Sequence, residues 1–165
     1  MDLITSLAVI IGIMGGIATW AAITIGSPYV LIWAVFFAWG SFYHCGGKDA
    51  GLKSSVVANI WGIICAVGAL IALTSIGVSA VVAGLCVGIS IVVLVLAAKI
   101  PLLAAIPSSV YGYASTAALF LLGGASYGPD AGGIVKVGAA VAVSMIIGNI
   151  FGYISEKIAG SLVKA

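Results

Sequence analysis

The sequence predicts an all-α polytopic membrane protein of six transmembrane helices, arranged as two inverted three-helix repeats. Three observations carry that expectation: an apolar composition, the lengths of the uncharged stretches, and short motifs that recur in the same order in both halves. Of 165 residues, 64% are hydrophobic and 6% charged, and the mean hydropathy is +1.37. A soluble domain carries roughly a quarter charged residues, so the polar shell is missing and lipid is left as the solvent.

Charges divide the chain into stretches whose lengths count the spans, because about 20 apolar residues cross the hydrocarbon core. Residues 3–47 and 54–98 each hold two spans, while 100–129 and 137–155 hold one each. Gly26-Ser27-Pro28 punctuates the first long stretch, and the segment from Thr74 to Ser79 marks the second. The expected spans are 3–25, 28–45, 55–75, 79–99, 105–123 and 134–156. The run from Leu3 to Gly26 follows Asp2 rather than a basic stretch and exceeds a secretory apolar core, so it is expected to stay as a span.

The lysines set the orientation, since positive residues flanking short loops stay in the cytoplasm. With both termini cytoplasmic, Lys48, Lys53, Lys99, Lys157 and Lys164 lie inside and only Lys136 lies outside. Tyr29, Tyr43, Trp61, Tyr111 and Tyr153 near span ends suit interfacial belts, and equally suit simple packing.

Composition and motifs also exclude. With six lysines and no arginine, the chain has no phosphate-neutralising patch, so nucleic acid is not an expected partner. Cys45, Cys65 and Cys86 form no CxxC pair and read as small apolar packing residues rather than metal ligands. There is no phosphate-binding glycine loop, HExxH or paired carboxylates. Neither an enzyme nor a cofactor is therefore expected. His44, the one histidine, has only Asp49 as a nearby acidic residue, which weighs against a metal or pH-sensing role.

The repeat rests on four matches. Gly12-xxx-Gly16 corresponds to Gly84-xxx-Gly88, Pro28 to Pro107, Asp49-Ala50-Gly51 to Asp130-Ala131-Gly132, and Asn59-Ile60-Trp61-Gly62 to Asn149-Ile150-Phe151-Gly152. Their offsets of 72, 79, 81 and 90 are colinear without one register. The single domain 1–165 then divides into repeats of about 1–75 and 79–165. Because each unit has an odd number of spans, the second is upside down relative to the first, as in many transporters and channels.

Polar groups inside lipid are expensive unless partnered or wet, so they are the first site candidates. No ionic residue falls at the centre of a span, which disfavours a proton-coupled carboxylate carrier. The neutral candidates for a pathway are Asn59, Asn149, Ser144, Ser115, Thr116 and Tyr113, with Ser90 and Thr19 beside them. An asparagine amide offers donors and an acceptor, so each Asn either lines a pathway or bonds a neighbouring helix. Pro28, Pro107, Ser108 and Ser109 are candidates for a broken helix, although Pro28 also fits a first helical turn capped by Ser27. Gly12/Gly16, Gly84/Gly88 and Gly148/Gly152 carry close-packing spacing, expected first inside the bundle and second between subunits.

Four segments together resemble a known family: the opening Gly12-Ile13-Met14-Gly15-Gly16, the loop Cys45-Gly46-Gly47-Lys48-Asp49-Ala50-Gly51-Leu52-Lys53, the Pro107 entry to a Tyr- and Ser-rich span, and the closing Ile150-Phe151-Gly152-Tyr153. The chain resembles the bacterial inner-membrane family designated domain of unknown function 1097. The resemblance implies a bacterial multi-span inner-membrane protein and transfers no activity and no functional residue.

From the residues, the leading expectation is a channel or permease for a small neutral or weakly charged solute, running between the two halves of a homo-oligomer's protomer. Its rivals are an alternating-access carrier and a membrane scaffold or accessory subunit without a pathway.

Overall fold

The computed structural model describes residues 1–26, 30–123 and 126–163, and those residues form six α-helices: α1 (Leu3–Ile25), α2 (Ile32–His44), α3 (Lys48–Ile76), α4 (Ala80–Leu96), α5 (Ile106–Gly123) and α6 (Ala131–Leu162). Two 3-10 turns, Ala97–Lys99 and Pro101–Leu103, join α4 to α5. Among the described residues, four segments are long and apolar enough to cross a membrane: Leu3–Ile25, Lys48–Ile76, Ala80–Lys99 and Ala131–Leu162. Of the other two helices, α2 has 13 residues, roughly 20 Å at the α-helical rise, and α5 is diluted by serine and tyrosine.

Local chemistry fixes the ends. Asp2 caps α1, its carboxylate accepting from the Thr5 amide at 2.9 Å and the Thr5 hydroxyl at 2.6 Å. These bonds hold the Asp2 carboxyl below its ordinary pKa, the hydroxyl bond contributing most. Ser79 caps α4 through the Val82 amide and Asp130 caps α6 through the Gly132 amide. Helix α3 starts at Lys48 rather than at residue 55, because Gly46, Gly47 and Lys48 all take positive φ and turn the chain straight out of α2. Asp49 then lies in the first turn, where a negative charge meets the positive helix end. Likewise α6 spans 32 residues, beyond the expected 134–156, because Asp130 caps it early.

Helices α3 and α6 run antiparallel through the middle. Lys48 and Asp49 meet Glu156 and Tyr153 at one end, Asn59 meets Asn149, and Gly138 faces Ile63 and Val67 further along. Helix α5 lies against α3 and α2 against α6, the two most extensive pairings, both parallel; α4 covers α3 and α1 covers α6. Both outer helices are exposed or half-buried along most of their length: α1 fully buries only Ser6 and Gly15, and α4 only Leu94.

Glycines set the two tight crossings. A Cβ on Gly62 would collide with the Ser109 carbonyl and one on Gly112 with the Asn59 carbonyl, so α3 and α5 touch backbone to backbone. On the other side a Cβ on Gly148 would strike the Val35 carbonyl, and one on Gly152 would lie 2.7 Å from the Phe42 ring. Gly148/Gly152 thus pack the bundle from within. Internal packing is corrected for Gly12, Gly16, Gly84 and Gly88, where an added Cβ meets nothing within 4 Å. Spacing alone did not say which helix face turns inward.

Candidate functional site

The polar centre begins with sequence spacing. Ser55 and Asn59 are four residues apart on α3 and share one face. Ser41 of α2 and Ser108 of α5, bonded to each other, join them, and Asn149 closes the set from α6. All five are at most 1% exposed. Ser55 Oγ donates to Ser41 Oγ at 2.7 Å, and Ser41 Oγ donates to Ser108 Oγ at 2.8 Å. The Asn59 amide nitrogen donates to the Ser108 carbonyl at 2.8 Å and to Ser41 Oγ at 3.1 Å. Asn149 donates to Asn59 Oδ1 at 2.8 Å and to its own helix at the Met145 carbonyl, 2.9 Å.

That tally leaves one group over. Both amide hydrogens of Asn149 are used, and its Oδ1 is buried with no partner. Exchanging N and O would not help, since it would set an acceptor against two other acceptors, Asn59 Oδ1 and the Met145 carbonyl. An open carbonyl in a dry interior is costly. From Ser108 the network continues to Cys45 Sγ at 3.2 Å, half-buried at the end of α2.

Beside that exit, residues of α6 clamp the α2–α3 turn. Glu156 Oε2 accepts from the Lys48 amide at 2.7 Å. The Tyr153 hydroxyl donates to Asp49 at 2.6 Å, and the Lys157 ammonium sits 4.4 Å from the centre of the Tyr153 ring. Ser155 Oγ takes the Trp39 indole N–H at 3.0 Å and meets the Tyr43 hydroxyl at 2.8 Å. His44 Nδ1 lies 3.1 Å from the Tyr111 hydroxyl on the neighbouring face.

Of the residues expected to line a pathway, Asn59 and Asn149 come together at the centre, and Tyr113 and Ser90 pair separately between α5 and α4. Ser144 donates to the Ala140 carbonyl at 2.8 Å and accepts the Leu31 amide at 2.9 Å, anchoring the start of α2. Tyr113 reaches outward to Ser90 on α4, hydroxyl to hydroxyl at 2.8 Å. Thr116 bonds back to the Gly112 carbonyl and Thr19 to the Gly15 carbonyl. Ser115 is 2% exposed and its hydroxyl has no partner. Helix α5 runs unbroken through Pro107, Ser108 and Ser109; the interruption lies upstream, in the 3-10 turns of residues 97–103. Pro107 occupies the first turn of α5, where its missing N–H costs nothing. Pro28, with Ser27 and Tyr29, lies outside the described residues. Sequence reasoning missed Ser41 and Ser55; the i, i+4 relation of Ser55 to Asn59 was the available signal, whereas Ser41 stands among aromatics with nothing to mark it.

A family model described as "Protein of unknown function (DUF1097)" matches residues 8–160, nearly the whole chain. The chain belongs to the DUF1097 family. No curated protein and no solved structure matches this DUF1097 chain. Its long apolar helices make it a membrane protein, and the family description assigns no reaction or cargo to the Asn59–Asn149 centre.

Proposed function

We propose that the DUF1097 chain is a six-span channel or permease of the bacterial inner membrane for a small neutral or weakly charged solute, its passage running between two inverted three-helix halves. The observation that carries this reading is the Asn59–Asn149 pair, one residue from each half, with the Asn149 carbonyl still free to accept. The inverted repeat has its own support. Exchanging α1 with α4, α2 with α5 and α3 with α6 turns each principal helix pairing into another one present. The same exchange maps Asn59 on Asn149 and Gly62 on Gly152, both 90 residues apart. In six alternating spans α2 would cross despite its shortness, and α3 and α6 would run opposite ways, in keeping with their antiparallel contact.

Lys48, Lys53, Lys99 and Lys157 belong to the end where α3 begins and α4 and α6 finish, and Lys136 to the other. This favours cytoplasmic termini. The outward-facing Gly12/Gly16 and Gly84/Gly88 stripes suit contact between copies in a homo-oligomer. Selectivity in such a passage comes from width and a few hydrogen-bonding groups, with no fixed charge.

A specific observation also favours the scaffold reading: Asn59 spends its amide hydrogens wholly on neighbouring helices, as interhelical glue does. Liposome flux separates the two. Reconstituted protein is screened by light scattering with neutral solutes, ammonia and short carboxylates, with Asn59→Leu and Asn149→Leu alongside. Flux in the native chain that falls in the folded variants supports a passage, and saturation with counterflow identifies a carrier. A flat screen with folded native protein assigns the network to architecture.

A further inference from the structure

The turn between α2 and α3 is held from outside itself. Gly46, Gly47 and Lys48 take φ of 86°, 67° and 58°, three left-handed residues in a row, and Lys48 carries a side chain where that backbone favours glycine. Lys48 opens α3, yet its cap residue is Gly47, which has no side chain to offer the first amides. The partner comes from α6: Glu156 Oε2 accepts from the Lys48 amide at 2.7 Å. The half-buried Glu156 also covers the buried Gly47, where a Cβ would collide with its carboxylate. A backbone strained in this way persists only while its surroundings over-determine it, and such segments gather at switches.

The place of this turn gives it work to do. One face of α6 carries Asn149, Tyr153 and Glu156, and all three bond α3, at Asn59, Asp49 and the Lys48 amide in turn. Cys45, the last residue before the left-handed run, bonds Ser108 at 3.2 Å and so ends the network that Ser55, Ser41 and Ser108 make. Cys45 is half-buried, whereas Ser41, Ser108 and Asn59 behind it are at most 1% exposed. The turn therefore stands between the polar centre and the charged end of the bundle. The start of α6 at the opposite end is capped from within its own turn, by Asp130 accepting from the Gly132 amide.

We propose that the α2–α3 turn is a gate and that the Glu156 carboxylate is the latch holding it shut over the Asn59–Asn149 centre. With Glu156 on the Lys48 amide, the left-handed run is held and Cys45 stays on Ser108. With Glu156 withdrawn, Lys48 leaves its strained conformation, the turn swings outward and Cys45 parts from Ser108, which opens the network to water. As regulation of that centre the gate rests on the proposed passage. Its opening is read from thiol accessibility and not from flux, so a flat flux screen beside an opening gate sinks the passage alone.

The test follows N-ethylmaleimide modification of the full chain in detergent micelles, residue by residue, by mass spectrometry. Glu156→Ala is expected to speed Cys45 labelling about tenfold or more, the population change that one hydrogen bond to a charged group supports. Gly47→Ala, whose methyl displaces the carboxylate, is expected to do the same. Glu156→Gln keeps an acceptor oxygen for the Lys48 amide and is expected to stay near the native rate. Cys65, buried further along α3, is the internal reference and keeps its native rate throughout. Unchanged Cys45 labelling in folded Glu156→Ala and Gly47→Ala overturns the proposal. So does acceleration of Cys45 and Cys65 together, which marks general loosening of the bundle in place of a gate.

Discussion

Asn149 and Asn59 are joined by a single 2.8 Å hydrogen bond that runs from α6 to α3, and the two residues end in opposite states. Every polar hydrogen of Asn59 and its carbonyl are engaged, while Asn149 keeps an idle carbonyl. Removing Asn59 leaves one Asn149 amide hydrogen unpaired and takes a bond from both Ser41 and the Ser108 carbonyl. Removing Asn149 deletes an unsatisfied group along with two bonds, one between helices and one to the Met145 carbonyl of its own helix.

Asn59→Ala is therefore expected to destabilise by about 1–3 kcal/mol, the range for stranding buried partners, and Asn149→Ala by well under that, near the ~0.6 kcal/mol typical of interhelical bonds in lipid. SDS titration in mixed micelles measures both. Equal losses would contradict the asymmetry of the pair.

At the helix crossings, Gly62→Ala and Gly112→Ala push α3 and α5 apart, since each new methyl meets a backbone carbonyl. A cost of roughly 2 kcal/mol or more is expected, at the upper end for overpacking because backbone must move. Gly84→Ala and Gly88→Ala meet empty space within the chain and leave monomer stability unchanged. In a crosslinking assay those two report instead on contact between copies.

The turn held by Glu156 allows a dissection. Gly47 has φ +67° and ψ −162°, a region kept for glycine, and its missing Cβ is also the space Glu156 occupies. Gly47→Ala should cost about 1–3 kcal/mol for the backbone, plus a steric part. Adding Glu156→Ala recovers the steric part alone, so thermal midpoints for the two single variants and the double variant separate the contributions.

Acid should loosen the start of α1. The Asp2 carboxyl is held below its ordinary value by Thr5, so the cap is fully present above the unfolded pKa of about 4 and is lost as pH falls through the lowered folded value. The protection factor of the Thr5 amide, its exchange rate taken against the intrinsic rate at each pH, is expected to fall in that acidic window in the native chain. In Asp2→Asn, whose amide oxygen caps without titrating, it stays level.

Much of the architecture was legible in the sequence because it follows from solvation. Long uncharged tracts gave helices in the right places, and α1, α4 and α5 begin within a residue or so of expectation. Helix α3 was misjudged at its start because charges at Lys48, Asp49 and Lys53 read as loop, although a turn of three left-handed residues lets them open a helix. Asn59 and Asn149 stood out because amides are rare in lipid. Ser41 did not, since a serine can satisfy itself on its own helix, and only the packing of four helices tells which serines do. The same gap explains the glycines: Gly12 and Gly148 carry identical spacing, and only the fold assigns one outward and the other to a crossing.

The brevity of α2 has a consequence for the bilayer itself. Its 13 residues cover roughly 20 Å, whereas the acyl region is about 30 Å deep. On the proposed six-span reading, lipids bordering the exposed Phe36 and Phe37 face a helix about a third too short, a mismatch that thinning of the bilayer beside it would relieve. On that reading the protein would carry a built-in dimple, with thicker membranes straining it and thinner ones retaining it.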